Sequence, residues 1–115
     1  MPLNKEATEI QEGKKINVTL TADVEGGEVI PYGTDMCVIA STAGLVGEVV
    51  ACETEKMWEL NAATADVVAV GDLLYFDATA RALTTVALSN TRFGRATTAK
   101  AATVAGTVVA KLNAV

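Results

Sequence analysis

The chain has 115 residues, a net charge of -5 and a pI near 4.6; half its residues are hydrophobic, but only 4% are aromatic. That length fits one domain with one sizeable core. The acidic balance, with nine scattered basic residues, excludes an electropositive nucleic-acid surface, because phosphate contacts need clustered Lys and Arg. No apolar run reaches membrane-spanning length, and the charged start lacks a signal peptide's apolar stretch, so a soluble chain made in the cytoplasm is expected.

Residues 1–14 are polar and charged, with Leu3 and Ile10 as the large apolar side chains. Such a segment cannot cover a core. It is either a frayed terminus or an extended N-terminal arm lying on a neighbouring subunit, anchored by Leu3 and Ile10. Residues 15–22 alternate Ile16, Val18 and Leu20 with Asn17, Thr19 and Thr21, the period of a strand with one covered face. Gly26-Gly27 turns the chain, and a short strand at 28–30 is stopped by Pro31, which favours an edge because proline cannot donate to a ladder. Tyr32 follows in a Pro-Tyr-Gly turn, exposed and available as an interface residue. Residues 36–41 are apolar on both faces, as in a central strand. Two more strands are expected at 48–53 and 56–60, then a loop or one helical turn over 61–70, the turn having Thr64 as its N-cap.

Gly71-Asp72 is a turn dipeptide, and Leu73-Leu74-Tyr75-Phe76 after it suits a buried strand. Residues 83–87 alternate Leu, Thr and Val, so the two runs form an antiparallel hairpin. Thr91-Arg92-Phe93-Gly94-Arg95-Ala96 then extends it to a three-strand meander with Phe93 opposite the arginines. A loop over 97–103 leads into a last strand at 106–113. Eight or nine short strands with turns every 8–12 residues describe an all-β chain, a sandwich or small barrel over 15–115. The sequence carries no heptad and no long repeat.

Catalysis has little to work with, because the chain has no histidine, the usual acid–base group at neutral pH. Asp72 and Asp77 sit five apart, at opposite ends and on opposite faces of a strand, and read as turn formers. Asp23, Glu25 and Glu28 surround Gly26-Gly27 but lack the spacing of a calcium loop. Ser41 and Ser89 have no activating base. The reading is therefore a non-enzyme without catalytic, cofactor or metal residues. Cys37 and Cys52 lie in apolar runs and read as reduced, packed thiols, with a cross-strand disulfide as the other option. Trp58, beside Met57, either plugs the core or anchors an interface; its ring is worth ~4–6 kcal/mol wherever it is buried.

The order Gly71-Asp72, Leu73-Leu74, Tyr75-Phe76, Asp77-Ala78, Leu83-Thr84-Thr85, Asn90-Thr91-Arg92, Phe93, Gly94-Arg95-Ala96 resembles the capsid cement (head decoration) proteins of tailed bacteriophages and prophages. The Gly47-Glu48-Val49-Val50-Ala51 strand, Trp58-Glu59-Leu60 and the final Lys111-Leu112-Asn113 fall in the order the family shows, so the likeness spans residues 15–113. The chain departs from the family in its longer charged N-terminal segment and its two cysteines.

The resemblance implies a small β-sandwich or jelly-roll-like barrel of antiparallel strands, forming a homo-oligomer, dimer or trimer, on the outer capsid surface of the virion. There it bridges neighbouring major capsid proteins and stabilises the head, with no nucleic acid or membrane as partner. Interface candidates are Leu3, Ile10, Tyr32, Met57 and Trp58. The rival reading is a carbohydrate- or host-surface-binding β-module, which one tryptophan serves poorly and which a glycan array would separate.

Overall fold

The computed structural model describes residues 14–115, and among these there are nine strands and no helix. Leu3 and Ile10 lie outside the described residues. Strands β1 (Lys15–Thr19), β2 (Val29–Pro31), β3 (Cys37–Ala40) and β4 (Val49–Glu53) form an antiparallel sheet in the order β1-β4-β3-β2. Strands β5 (Met57–Ala62), β6 (Leu73–Asp77), β7 (Ala82–Thr84), β8 (Thr91–Ala96) and β9 (Gly106–Leu112) close into a barrel in the order β5-β7-β6-β8-β9. The alternation read in 15–22 places Val18 and Leu20 in a core, Pro31 sits on an edge strand, and β3, buried along its length, is internal. Strand β5 runs on to Ala62, and residues 63–70 are turn and loop without a helical turn.

Period-2 alternation splits β3 between two cores. Cys37 and Ile39 face the barrel and join Phe76, Phe93, Leu74, Leu83 and Val108. Val38 faces the other way and packs with Val18, Leu20, Val50 and Cys52. The two cysteines therefore belong to opposite faces of the sheet, and both are free and buried. The barrel holds most of the large buried side chains, each contributing ~1.5–3 kcal/mol by burial.

The C-terminal strands depart from a meander. β6 is flanked by β7 on one side and β8 on the other. The cause is closure: β7 is engaged on its far edge by β5 through a parallel contact, Ala62 opposite Leu83, with the Ala63 N–H donating to the Leu83 carbonyl at 2.8 Å. The chain must therefore cross over to reach a free edge. The expected strand stops at Thr84, because Asp66 takes the Thr84 hydroxyl at 2.6 Å and the Thr85 N–H at 3.0 Å and turns residues 85–90 into the crossing loop. In β8 a bulge falls at Phe93, between the pairs Leu74/Gly94 and Tyr75/Arg92, and leaves Phe93 and Gly94 both buried.

A structural repeat also emerges that the sequence does not announce. Residues 24–28, 44–48, 68–72 and 100–104 make the same turn, with a bridging residue first and a positive-φ residue fourth: Gly27, Gly47, Gly71 and Thr103. The first two turns cross each other about a local two-fold. Val24 and Gly44 exchange backbone bonds of 2.9 and 3.0 Å, Gly27 N–H donates to the Ala40 carbonyl as Gly47 N–H does to that of Leu20, and the Leu20 and Ala40 N–H groups reach the carbonyls of Glu48 and Glu28. In the barrel, Val68 and Lys100 exchange the same pair at 2.9 and 2.8 Å.

Asn113 is one of the side chains that tie the two halves together; Arg81, whose guanidinium donates to the Val29 carbonyl at 3.1 Å, is another. Asn113, at φ 59 just past β9, accepts the Cys37 N–H at 3.2 Å and donates to the carbonyls of Cys37 at 2.9 Å and Thr54 at 2.8 Å. Asparagine tolerates this left-handed conformation better than most residues, so the same residue both ends the strand and bridges the seam.

Candidate interaction surfaces

On β5, Met57 is exposed and Trp58, next in sequence, turns inward. Trp58 is partly buried against the barrel core, and its indole N–H donates to the Glu55 carbonyl at 3.0 Å. Its polar edge is thus engaged within the chain, and its ring is partly covered. Tyr32 is 43% exposed in the β2–β3 turn, where its N–H donates to the Met36 carbonyl at 2.8 Å. Tyr32 precedes Cys37 by five residues and Met57 follows Thr54 by three, so each lies close along the chain to a segment that Asn113 holds.

An apolar protrusion with a fixed backbone lies elsewhere, at the second of the four turns. Leu45 and Val46 are 62% and 61% exposed, and Val49 at the start of β4 is 61% exposed. The Leu45 N–H donates to Glu48 Oε1 at 2.6 Å and the Val46 N–H to Asp23 Oδ1 at 2.8 Å. Two carboxylates thus hold the tip in one conformation while its side chains face water. Turn tips favour Gly, Asn, Asp and Ser, so Leu-Val between Gly44 and Gly47 is the sequence signal that strand periodicity passed over. Beside the tip, Asp23, Glu25, Glu28 and Glu48 line an open groove of about 540 Å³ together with Val24 and Gly44.

Three of those four acids have structural duties. Asp23 and Glu48 hold the tip, and Glu28 lies 3.8 Å from Arg81. Among the described residues no three acidic or cysteine side chains are disposed to hold a metal ion. Asp72 accepts the Ala69 N–H at 2.9 Å, and Asp77 accepts those of Thr79 and Ala80 at 2.9 and 3.1 Å, so both close turns at opposite ends of β6. What the surface offers is a rigid apolar knob beside a negative groove, suited to a partner with an apolar socket and basic rim.

Comparison with known proteins agrees with a contact-making role. The chain matches no curated protein and no solved structure. Residues 10–112 match the family model described as phage cement protein, nearly the whole chain. That family carries a structural role on the phage capsid, which implies binding to the capsid and association with the virion. The chain belongs to the phage cement protein family.

Proposed function

We propose that this protein binds the outer surface of the phage head, bridges neighbouring major capsid proteins and stabilises the shell, and that the Leu45–Val46–Val49 knob is its principal contact. The observation that carries the reading is the knob itself: three exposed aliphatic side chains on a backbone fixed by Asp23 and Glu48. A rigid apolar projection loses little conformational entropy on docking. The acidic rim steers it to a basic partner and disfavours nucleic acid. Tyr32 and Met57 serve as secondary contacts; Trp58 supports β5 from within. Residues 1–14 act as an arm reaching a neighbouring subunit through Leu3 and Ile10.

The mechanism is linkage. A protein that binds the assembled lattice but not its separated subunits stabilises the lattice by ~2.7 kcal/mol per site when its free concentration is a hundred times the dissociation constant. Contacts to two capsid subunits raise the effective concentration of each. The test is co-sedimentation with undecorated heads. Wild-type protein is expected to pellet with heads and to raise their resistance to heat or chelators. The paired substitution Leu45→Ser, Val46→Ser is expected to weaken binding at least about tenfold with an unchanged melting curve. A wild-type protein that stays in the supernatant overturns the capsid reading. Unimpaired pelleting of the pair overturns the knob.

A further inference from the structure

The two outer strands of the four-stranded sheet are treated differently. On β2 the register turns Val29 and Pro31 outward; the Val29 carbonyl is taken by the Arg81 guanidinium at 3.1 Å, and Pro31 has no N–H. That edge is blunted in the manner proteins use against unwanted pairing. β1 is not. The Lys14 carbonyl accepts the Thr54 N–H and the Leu20 N–H reaches the Glu48 carbonyl. With Ile16 opposite Cys52 and Val18 opposite Val50, the even-numbered residues bond to β4, and the N–H and C=O groups of Asn17 and Thr19 point away from the sheet. No hydrogen bond joins those backbone groups to any described residue. The barrel is closed and offers no edge.

From this we infer that two copies of the chain associate by antiparallel pairing of β1 with β1 about a two-fold axis at Val18, making one eight-stranded sheet across the dimer. In that register Asn17 of each copy pairs with Thr19 of the other, forming four backbone hydrogen bonds that use the outward-facing groups. An isologous pairing closes on itself, and it is the strand pairing available when β2 is blocked and the barrel has no edge. The electrostatics allow it: Lys15 comes opposite Thr21 of the second copy rather than opposite another lysine, and its ammonium lies 3.5 Å from Glu53 of its own chain. Side chains on the inner face bring Val18 against Val18, and Ile16 against Leu20, extending the apolar layer that these residues already form. So short a seam buries less than the ~1,200 Å² of a stable interface. The dimer is therefore weak in solution, and the high local concentration on a shell completes it.

The inference goes beyond head binding to self-association and is tested without capsids, so its failure is distinguishable from failure of head binding. Sedimentation velocity over roughly 1 µM to 1 mM protein is expected to show a reversible monomer–dimer equilibrium. Asn17→Pro and Thr19→Pro each delete an outward donor and leave the ladder to β4 intact, as Pro31 does on β2. Each is expected to weaken dimerisation at least about tenfold with folding retained by circular dichroism. Asn17→Ala, which keeps the backbone donor, is expected to dimerise like wild type. In hydrogen exchange the Asn17 and Thr19 amides are expected to slow as concentration rises. A chain monomeric throughout this range, a dimer indifferent to both prolines, or an Asn17→Ala variant as impaired as Asn17→Pro would each overturn the inference. If a proline variant fails to fold, the exchange measurement on wild type decides: concentration-independent amides at 17 and 19 sink it.

Discussion

In the four-stranded sheet the crossed turns meet through Val24 and Gly44, and Glu48 and Asp23 hold the second of them; in the barrel Asp72 holds the 68–72 turn in the same way, but the turn that crosses it carries Lys100. The Lys100 ammonium is folded back into its own turn, donating to the carbonyls of Ala101 and Val104 at 2.9 Å each and of Thr64 at 3.2 Å. Lys100 is 7% exposed. The barrel folds this ammonium inward and closes its strand edges on itself. The sheet leaves an apolar tip and a strand edge facing outward. One turn design thus appears in both halves, with most of the large buried side chains under the barrel and the open strand edge on the sheet.

The contrast is sharpest at two glycines. A Cβ on Gly94, in the β8 bulge, would overlap the Lys111 carbonyl oxygen, backbone that β9 fixes. Gly94→Ala is expected to cost about 4 kcal/mol or more and to leave little folded protein. A Cβ on Gly44, at the sheet's crossing, would lie 2.7 Å from Leu20 Cδ1 and Val50 Cγ1, which are side-chain atoms of the core rather than backbone. Gly44→Ala is expected to cost ~1–3 kcal/mol. Urea denaturation of both variants checks the ranking; equal losses would erase the distinction between rigid barrel and adaptable sheet.

Next in size are the polar plugs. Lys100→Ala removes the donor from three carbonyls and leaves a void along the lysine stem, a loss of ~2–4 kcal/mol, of which Lys100→Met recovers the packing part but not the hydrogen bonds. Asn113→Gly keeps the left-handed conformation and deletes the clasp between the halves, an expected ~2–3 kcal/mol. The two differ in kind. Lys100→Ala lowers the stability of the barrel itself, whereas Asn113→Gly loosens the docking of one half on the other and is expected to broaden the unfolding transition and reduce its m-value.

A smaller effect follows pH. The Thr84 hydroxyl bond holds the Asp66 carboxyl below its ordinary range, with help from the Thr85 N–H and the nearby Lys100 charge, against partial burial that pushes the other way. A carboxyl whose folded pKa is lowered contributes stability that is full above its unfolded value, near 3.9, and lost as pH falls through the lower folded value. The wild-type melting temperature is therefore expected to drop below about pH 4, and Asp66→Asn to show a shallower acid limb from a lower starting point. Identical limbs would remove Asp66 from the barrel's acid sensitivity.

How much of this was legible in the sequence depended on range. Ile16, Val18 and Leu20 declare their strand by alternation, Pro31 declares an edge, and the all-apolar Cys37–Ala40 declares a central strand, because each signal needs only neighbours in sequence. The position of β8 was not legible: it depends on β5 having taken the far side of β7 through Ala62 and Leu83, a contact between residues 21 positions apart. The turn repeat stayed hidden because its fourth copy replaces the Gly-acid pair with Thr103-Val104. Asn113 looks like an ordinary strand end until Cys37 and Thr54 are brought to it. Leu45-Val46 was readable in principle, as an apolar pair where a turn favours polar residues.

The thiols give the finest probe of the same division. Burial pushes both upward, Cys37 to about 12, so neither forms an appreciable thiolate near pH 8 in the native state, and alkylation requires opening. Cys37 sits under the barrel, with its backbone in the Asn113 clasp; Cys52 sits in the core of the open-edged sheet. If the sheet is the less stable half, Cys52 is expected to label by partial opening and Cys37 by global unfolding. The measurement is the iodoacetamide labelling rate of Cys37→Ala and Cys52→Ala variants across low urea. Cys52 is expected to react faster, with a weaker urea dependence than Cys37. Raising pH adds a check: stability from a thiol with a raised folded pKa is complete below the unfolded value near 8.5 and is lost above it, so wild type is expected to lose stability at alkaline pH and Cys37→Ala to lose less. Equal labelling rates with equal urea slopes would mean that the halves open together, and the division of labour between them would then lie in their surfaces alone.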